Sequence, residues 1–197
     1  MAKDLLHEKE RGEETNYIRR QEEKLIAKMR ERARIDEIAR ALGDVLRVDD
    51  PELLRRIGEL GLDQETGSAI LAAPLVEVAW ADGHVDEAEK AIVVAAAEER
   101  GLTPGTPAHD KLLEWLRERP SHAIVEAALQ AMQIGFSLLP AAEREQNISS
   151  ILATCRQVAE AAGGGLAKKL GISSGIAKAE RTVLDEIAEK LHAPPRK

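Results

Sequence analysis

Apolar residues recur at helical spacing along most of the chain, and the pattern changes character near residue 46. Residues 1–45 are dense in charge and nearly free of Gly and Pro, and their apolar positions form one narrow stripe. Such a stripe predicts a long, exposed helical arm. The arm is either a solvated helix tethered to the body, or a helix that pairs with a partner or with a second copy of itself. The stripe consists of Ile18, Leu25, Met29, Ile35, Ile38, Leu42 and Val45.

Residues 46–192 show shorter and more apolar helical segments, separated by Pro and Gly. Asp50 and Pro51 indicate a helix start. An Asp side chain can accept from the free backbone N–H groups of the first turn, and Pro has no backbone N–H that would need a partner there. The apolar run 69–80 predicts a central buried helix, with Pro74 near its first turn or at a kink. Further helices are expected over 86–99, 108–118, 120–139, 140–161 and 178–191, with a Gly-rich insertion at 163–175 and a frayed tail at 193–197. The chain is therefore predicted to be all-α, a helical bundle of about seven helices plus the N-terminal arm.

The helix–turn–helix at residues 76–92 has a second, looser copy near the C-terminus. Its first helix and turn, VAWADG, align with VAEAAG at 158–163, and its second helix, VDEAEKAIV, aligns with IAKAERTVL at 176–184. This alignment places Glu180 opposite Glu89. Two such copies predict an internal helix–turn–helix repeat within the bundle.

Composition supports a helical protein and argues against nucleic-acid binding. Hydrophobic residues make up 44% of the chain, enough for a core, and aromatic residues only 2%, which makes that core aliphatic. A net charge of −7 argues against a nucleic-acid-binding protein, which needs a basic face. Cys155 is the single cysteine, so no internal disulfide forms and a reducing, cytoplasmic setting is expected. The sequence shows neither a signal-peptide pattern nor the run of about 20 apolar residues that a membrane span requires.

Four carboxylates surround one short turn, those of Asp82, Asp86, Glu87 and Glu89, with His84 among them. Hard divalent cations bind several oxygen ligands, so these carboxylates are candidate metal ligands and a divalent cation is a candidate cofactor. The alternative is structural. Asp86 would cap the second helix and Glu89, three residues later, would complete a capping box at the positive end of the helix dipole.

No recognisable catalytic motif accompanies these acids. The chain lacks a nucleophile elbow, a P-loop and a dinucleotide-binding fingerprint, so a non-enzymatic protein is expected. Cys155, on an apolar helix face, is expected to be a small core residue, and Trp80 and Trp115 are expected to anchor the core. The scattered histidines are expected at the surface: His7, His109, His122 and His192.

The segment AWADGHVDEAEK at residues 79–90 resembles the tellurite-resistance TerB-like family. The family hallmark, A-x-A-D-G followed by E-x-x-x-I, is matched by Ala79, Ala81, Asp82, Gly83, Glu89, and Ile92 or Val93. The resemblance covers about residues 46–192 and implies an all-helical, internally repeated bundle with acidic turns. It also implies a non-enzymatic, stress-response or regulatory module that binds a partner protein, and a divalent metal through the acidic turn. The second copy has Ala162 where the first has Asp82.

The arm is similar to the inhibitory segment of the inhibitor protein of F-type ATP synthases. The likeness lies in residues 13–29, EETNYIRRQEEKLIAKM, where acids precede an aromatic residue, Arg-x-Gln and spaced apolar residues. It implies an arm that inserts between catalytic subunits and stops rotation, so inhibition of a rotary ATPase is the alternative function. The expected partner-binding residues are Tyr17, Ile18, Arg19, Gln21, Leu25, Ile26 and Met29.

Overall fold

The structure, a computed structural model, describes the backbone of residues 2–162 and 178–194 and the side chains of residues 17–161 and 178–194. Within these residues every regular element is helical, so the predicted all-α fold is confirmed, and seven α-helices follow the long first one. The helices are α1 (Ala2–Leu46), α2 (Pro51–Glu59), α3 (Ala73–Ala79), α4 (Glu87–Glu99), α5 (Pro107–Arg117), α6 (His122–Ser137), α7 (Ala141–Ala162) and α8 (Lys178–His192).

The predicted helix start after the arm is present. The Asp50 carboxylate accepts hydrogen bonds from the backbone N–H groups of Glu52 and Leu53, at 3.1 and 3.0 Å, and Pro51 occupies the first helical position. Arg47 has a positive φ of 54° directly after α1, where the chain reverses into α2. The side-chain cap and the proline together explain why the arm and α2 are separate helices.

The apolar run 69–80 forms the centre of the core in two pieces. A 3₁₀ helix covers Gly67–Ala72 and α3 follows at once, with Pro74 in its first turn. All seven residues of α3 are buried, and α3 packs against α4, α5, α6, α7 and α8. The sequence predicted a helix over 69–80 with Pro74 near its first turn or at a kink. The α-helix begins later than predicted, at Ala73, and Pro74 lies in its first turn, where the missing N–H is tolerated.

The core is aliphatic, as the composition predicts, and both tryptophans anchor it. Trp115 is buried, and the Trp80 indole Nε1–H donates a 2.8 Å hydrogen bond to the Trp115 carbonyl oxygen. Cys155 is fully buried, which confirms it as a core residue. His109 corrects the expectation of a surface histidine, because its ring is buried in α5 with Nε2 3.4 Å from a Glu98 carboxylate oxygen. His122 and His192 are exposed, and the side chain of His7 lies outside the described residues.

The first helix has two parts that meet different surroundings. Every residue from 17 to 34 is exposed, and burial begins at Ile35. From there the helix packs against α2, with Leu42 fully buried and an ion pair of 2.9 Å between Asp36 and Arg55. The body therefore holds the arm by its last three turns and leaves the preceding segment in solvent. Within residues 2–162 and 178–194, no helix combines the length and the apolar character needed to cross a bilayer.

The two copies of the predicted repeat lie against each other. Helices α3 and α4 form the first copy, α7 and α8 belong to the second, and contacts join α3 and α4 to α7 and α3 to α8. The aligned residues Glu89 and Glu180 are both almost completely buried. The turn of the second copy, and residues 195–197 of the predicted tail, lie outside the described residues.

Candidate functional site

The acidic turn between α3 and α4 is built as a helix cap. Gly83 has φ of +97°, a left-handed conformation that residues with a Cβ adopt at a cost. One carboxylate oxygen of Asp86 accepts from the backbone N–H groups of Ala88 and Glu89, both at 2.8 Å. The Glu89 carboxylate accepts in return from the backbone N–H of Asp86, also at 2.8 Å. This reciprocal pair is the capping box that the spacing predicted.

The remaining acids of the turn point in different directions. One carboxylate oxygen of Asp82 accepts from the backbone N–H of His84 at 3.2 Å and lies 3.1 Å from its ring Nδ1. The Glu87 carboxylate is 90% exposed and lies 3.4 Å from the Lys90 ammonium. Glu87 is thus directed to solvent, away from the buried Glu89 carboxylate.

Glu89 lies at the centre of the acidic cluster and is only 1% exposed. Burial raises the pKa of its carboxyl from 4.5 to about 7, against the lowering effect of the hydrogen bond from the Asp86 backbone. The charges of Asp86, Asp82 and Glu180 raise that pKa further. Glu180 is itself only 2% exposed. Part of the negative charge that acts on Glu89 therefore comes from a second buried carboxyl group, in the other copy of the repeat. Sequence reasoning did not place Glu180 in the site, although its alignment with Glu89 was the signal that could have done so.

The acidic cluster has the oxygen chemistry that a hard cation requires, but not its geometry in the described residues. No three or more His, Cys, Asp or Glu side chains in residues 17–161 and 178–194 gather closely enough to hold a metal ion. The capping box already uses oxygens of Asp86 and Glu89, and Glu87 faces solvent. Of the four predicted ligands, the turn thus brings Asp82, Asp86 and Glu89 into one neighbourhood and leaves Glu87 outside it.

The second candidate site is the exposed part of α1. Five large apolar side chains stand in solvent there, with exposed fractions between 48% and 64%. They are Tyr17, Ile18, Leu25, Ile26 and Met29.

The polar members of the predicted partner surface are exposed as well. Arg19 and Gln21 both face solvent, and the Arg19 guanidinium lies 3.9 Å from the Glu23 carboxylate one turn later. All seven residues predicted to bind a partner are therefore accessible on one projecting helix.

A cleft of about 530 Å³ opens where the arm joins the body, between the end of α1 and α2. Its walls include apolar groups of Val48, Pro51 and Leu54. Two of its charged lining residues neutralise each other, because Arg55 forms an ion pair with Asp36 at 2.9 Å. The cleft offers no nucleophile paired with a base among its lining residues, and it resembles a joint between helices more than a reaction site.

Comparisons with protein-family models, with curated proteins and with solved structures find no match for this chain. The resemblances to the TerB-like family and to the ATP synthase inhibitor therefore rest on their motif residues alone. Those residues occupy the two places described above, the acidic turn at 79–92 and the projecting segment of the arm.

Proposed function

We propose that this protein is a non-enzymatic regulatory module of the TerB-like type, whose helical body holds out the arm for a protein partner. The observation that supports this is the exposure of residues 17–34 together with five large apolar side chains in that segment. Fully burying a Leu, Ile or Met side chain contributes about 1.5–3 kcal/mol. Four such side chains that are about half exposed would thus contribute about 3–6 kcal/mol to docking, before the costs of association.

The test is whether the full-length protein captures a partner protein from its native cells, and whether that capture depends on the exposed apolar residues of the arm. Wild type is compared with Leu25→Asp and with Ala27→Asp, which places the same charge on the opposite side of the same exposed helix. We expect one protein to be recovered in a fixed ratio with wild type and Ala27→Asp and to be lost with Leu25→Asp, with binding then reproduced by the purified pair. Recovery that is equal for all three proteins would contradict the proposal.

Among protein partners, the catalytic subunits of a rotary ATPase are a defined candidate. The exposure of Tyr17 and Ile18, the anchors implied by the resemblance, and of Arg19 and Gln21 beside them favours this candidate. The purified full-length protein should then lower ATP hydrolysis by the isolated ATPase, and Ile18→Asp should relieve the effect. Hydrolysis that is unchanged by an excess of wild type would remove this partner while leaving others in place.

A divalent cation at the acidic turn is the second candidate function. It is favoured by the burial of Glu89 beside the charges of Asp86 and Asp82, because a buried carboxylate with acidic neighbours is stabilised by a proton or a cation. Calorimetric titration with Ca²⁺, Mg²⁺ and Zn²⁺ at pH 8, where the proton is largely absent, tests it. Saturable heat that disappears in Asp82→Asn supports cation binding, whereas no heat with any of the three ions leaves capping as the role of the turn.

A further inference from the structure

The exposed segment of the arm is strongly basic. Residues 17–34 contain seven basic and three acidic residues, a net charge of +4 in a chain whose net charge is −7. Two ion pairs lie within the segment, Arg19 with Glu23 at 3.9 Å and Arg34 with Glu31 at 2.8 Å. The remaining basic side chains form no ion pair with a described residue: Arg20, Lys24, Lys28, Arg30 and Arg32.

Most of the exposed apolar residues share one side of this segment. At about 100° per residue, Ile18, Leu25 and Met29 fall within about 40° of one another around the helix axis, and Ile26 lies about 60° beyond Met29. These four residues are called the arm stripe below. They span 12 positions, a length of about 18 Å.

Cations flank the arm stripe on both sides. On the side of Leu25, Arg32 and Lys28 follow at about 20° and 60° around the axis. On the side of Ile26, Arg19 and Arg30 follow at about 20° and 40°. A partner that covers the stripe therefore meets positive charge along both of its edges.

A second copy of the chain fits this face poorly. Pairing two arm stripes would bring two segments of net charge +4 into contact, because the stripe and the basic residues lie in the same segment, 17–34. Contact between two arm stripes would therefore place like charges along both edges of the interface.

A lipid surface also fits less well than a protein. Glu22 lies inside the arm stripe, about 40° from Ile18, and its carboxylate would have to approach the apolar layer of a membrane. The segment contains neither Trp nor Phe, the aromatic residues common on the apolar face of interfacial helices. A protein groove can accommodate one polar position in an otherwise apolar contact.

We propose that the arm stripe docks into an acidic, apolar groove of a partner protein, one about 18 Å long with aliphatic walls and Asp or Glu residues along both edges. The inference rests on the proposed function, that the arm binds a protein at all, and it specifies the chemistry of the surface that receives it. Complementary charge at the edges would speed encounter and fix the register, and the stripe would supply most of the contact.

A synthetic peptide tests this chemistry without knowledge of the natural partner. The probe is a fluorescein-labelled peptide of three heptads with Leu at the a and d positions and Glu at e and g, and the matched control carries Lys at e and g. Binding to the full-length protein is measured by fluorescence anisotropy at 0.15 M salt. We expect the Glu peptide to bind at least tenfold more tightly than the Lys peptide.

Two pairs of substitutions locate the binding face. Lys28→Glu with Arg32→Glu reverses the charge at the edge of the stripe and should weaken binding of the Glu peptide at least tenfold. Arg20→Glu with Lys24→Glu makes the same change in net charge on the far side and should weaken it less than threefold, because screening at this salt acts over about 8 Å. Leu25→Ser should also cost at least tenfold, and all these positions are exposed, so melting temperatures should stay unchanged.

Several results would overturn the inference. Equal binding of the two peptides, or no binding of either, would remove the acidic groove. Equal losses with the near-side and far-side charge reversals would indicate unspecific attraction. Sedimentation that shows a dimer abolished by Leu25→Ser would assign the face to a second copy, and tighter binding to phosphatidylserine vesicles with the same dependence on Leu25 would assign it to a membrane.

Failure of this inference can be told apart from failure of the proposed function. Capture of a protein that depends on the arm stripe, together with failure of the Glu peptide, would refute this inference alone. Loss of both would refute the proposed function as well.

Discussion

Replacing Glu89 by Gln tests the electrostatic account of the acidic turn. Glutamine keeps the size of the side chain and a carbonyl oxygen that can accept from the Asp86 backbone N–H, as in a capping box with Gln at this position. It removes only the ability to ionise. The variant therefore isolates the effect of a buried carboxyl group whose pKa is raised to about 7.

The expected effect follows from the two pKa values. The gap between the ordinary 4.5 and about 7 corresponds to about 3 kcal/mol. Asp82, whose charge acts on Glu89, is partly exposed, so solvent screening reduces this to about 1–2 kcal/mol. Because the folded protein holds this proton more tightly than the unfolded chain does, the contribution to stability is fully present below pH 4.5 and is lost as the pH rises through 7.

The assay is urea denaturation of wild type and Glu89→Gln at pH 5, 6, 7 and 8. Other titrating groups are common to both proteins, so the difference between their unfolding free energies isolates Glu89. Wild type should lose about 1–2 kcal/mol relative to Glu89→Gln between pH 5 and pH 8. Glu87→Gln, at an exposed carboxylate two positions earlier, should show no such trend.

A difference between wild type and Glu89→Gln that stays constant from pH 5 to pH 8 would refute this reasoning, because it would mean that Glu89 titrates normally. A difference that changes in the opposite direction would mean that the folded state stabilises the ionised carboxylate. In that case an unidentified cation or donor would have to lie beside it.

Three further predictions concern the turn, the thiol and the root of the arm. Gly83→Ala should destabilise the fold by about 1–2 kcal/mol, because a residue with a Cβ is strained at φ of +97° even though no atom lies within 4 Å of that Cβ. Gly135→Ala, in a helix and with equal space, should stabilise the fold by about 0.5–1 kcal/mol. Equal denaturation midpoints for the two variants would contradict this. Cys155, whose pKa burial raises to about 12, should react with a thiol reagent only under denaturing conditions, and rapid labelling of the native protein would disprove its burial. Leu42→Ala should lower the free energy of unfolding by about 2–5 kcal/mol, because the Leu42 side chain is fully buried. Leu25→Ala should lower it by less than about 0.5 kcal/mol, because the Leu25 side chain is 59% exposed. Urea denaturation measures both, and similar losses would mean that the arm packs along its whole length.

The sequence was sufficient for the elements that local chemistry determines. The helical period of the apolar residues predicts the all-α fold, and the caps at Asp50 and Asp86 are present with the predicted donors. The turn at Gly83 likewise follows from residue type, because the positive φ there favours glycine. Each of these features depends on residues within one or two helical turns of each other.

The sequence was not sufficient where the outcome depends on distant packing. Glu89 is the third residue of a capping box, a local motif, yet it is buried in a helix that packs against α3, α5 and the distant α7. The burial of His109 beside Glu98 has the same tertiary origin. The arm shows one apolar stripe in the sequence, yet packing against α2 and the 3₁₀ helix decides that burial starts at Ile35 and that the earlier part projects.

The central claim, that the arm presents a binding face, is tested most directly by site-specific photo-crosslinking in the native cell. A photoreactive amino acid is placed in the full-length chain at position 25, within the arm stripe, or at position 27, on the opposite side of the same exposed helix. The account predicts a crosslink from position 25 to one protein, and none from position 27. Equal crosslinking from the two positions, or none from either, would contradict it.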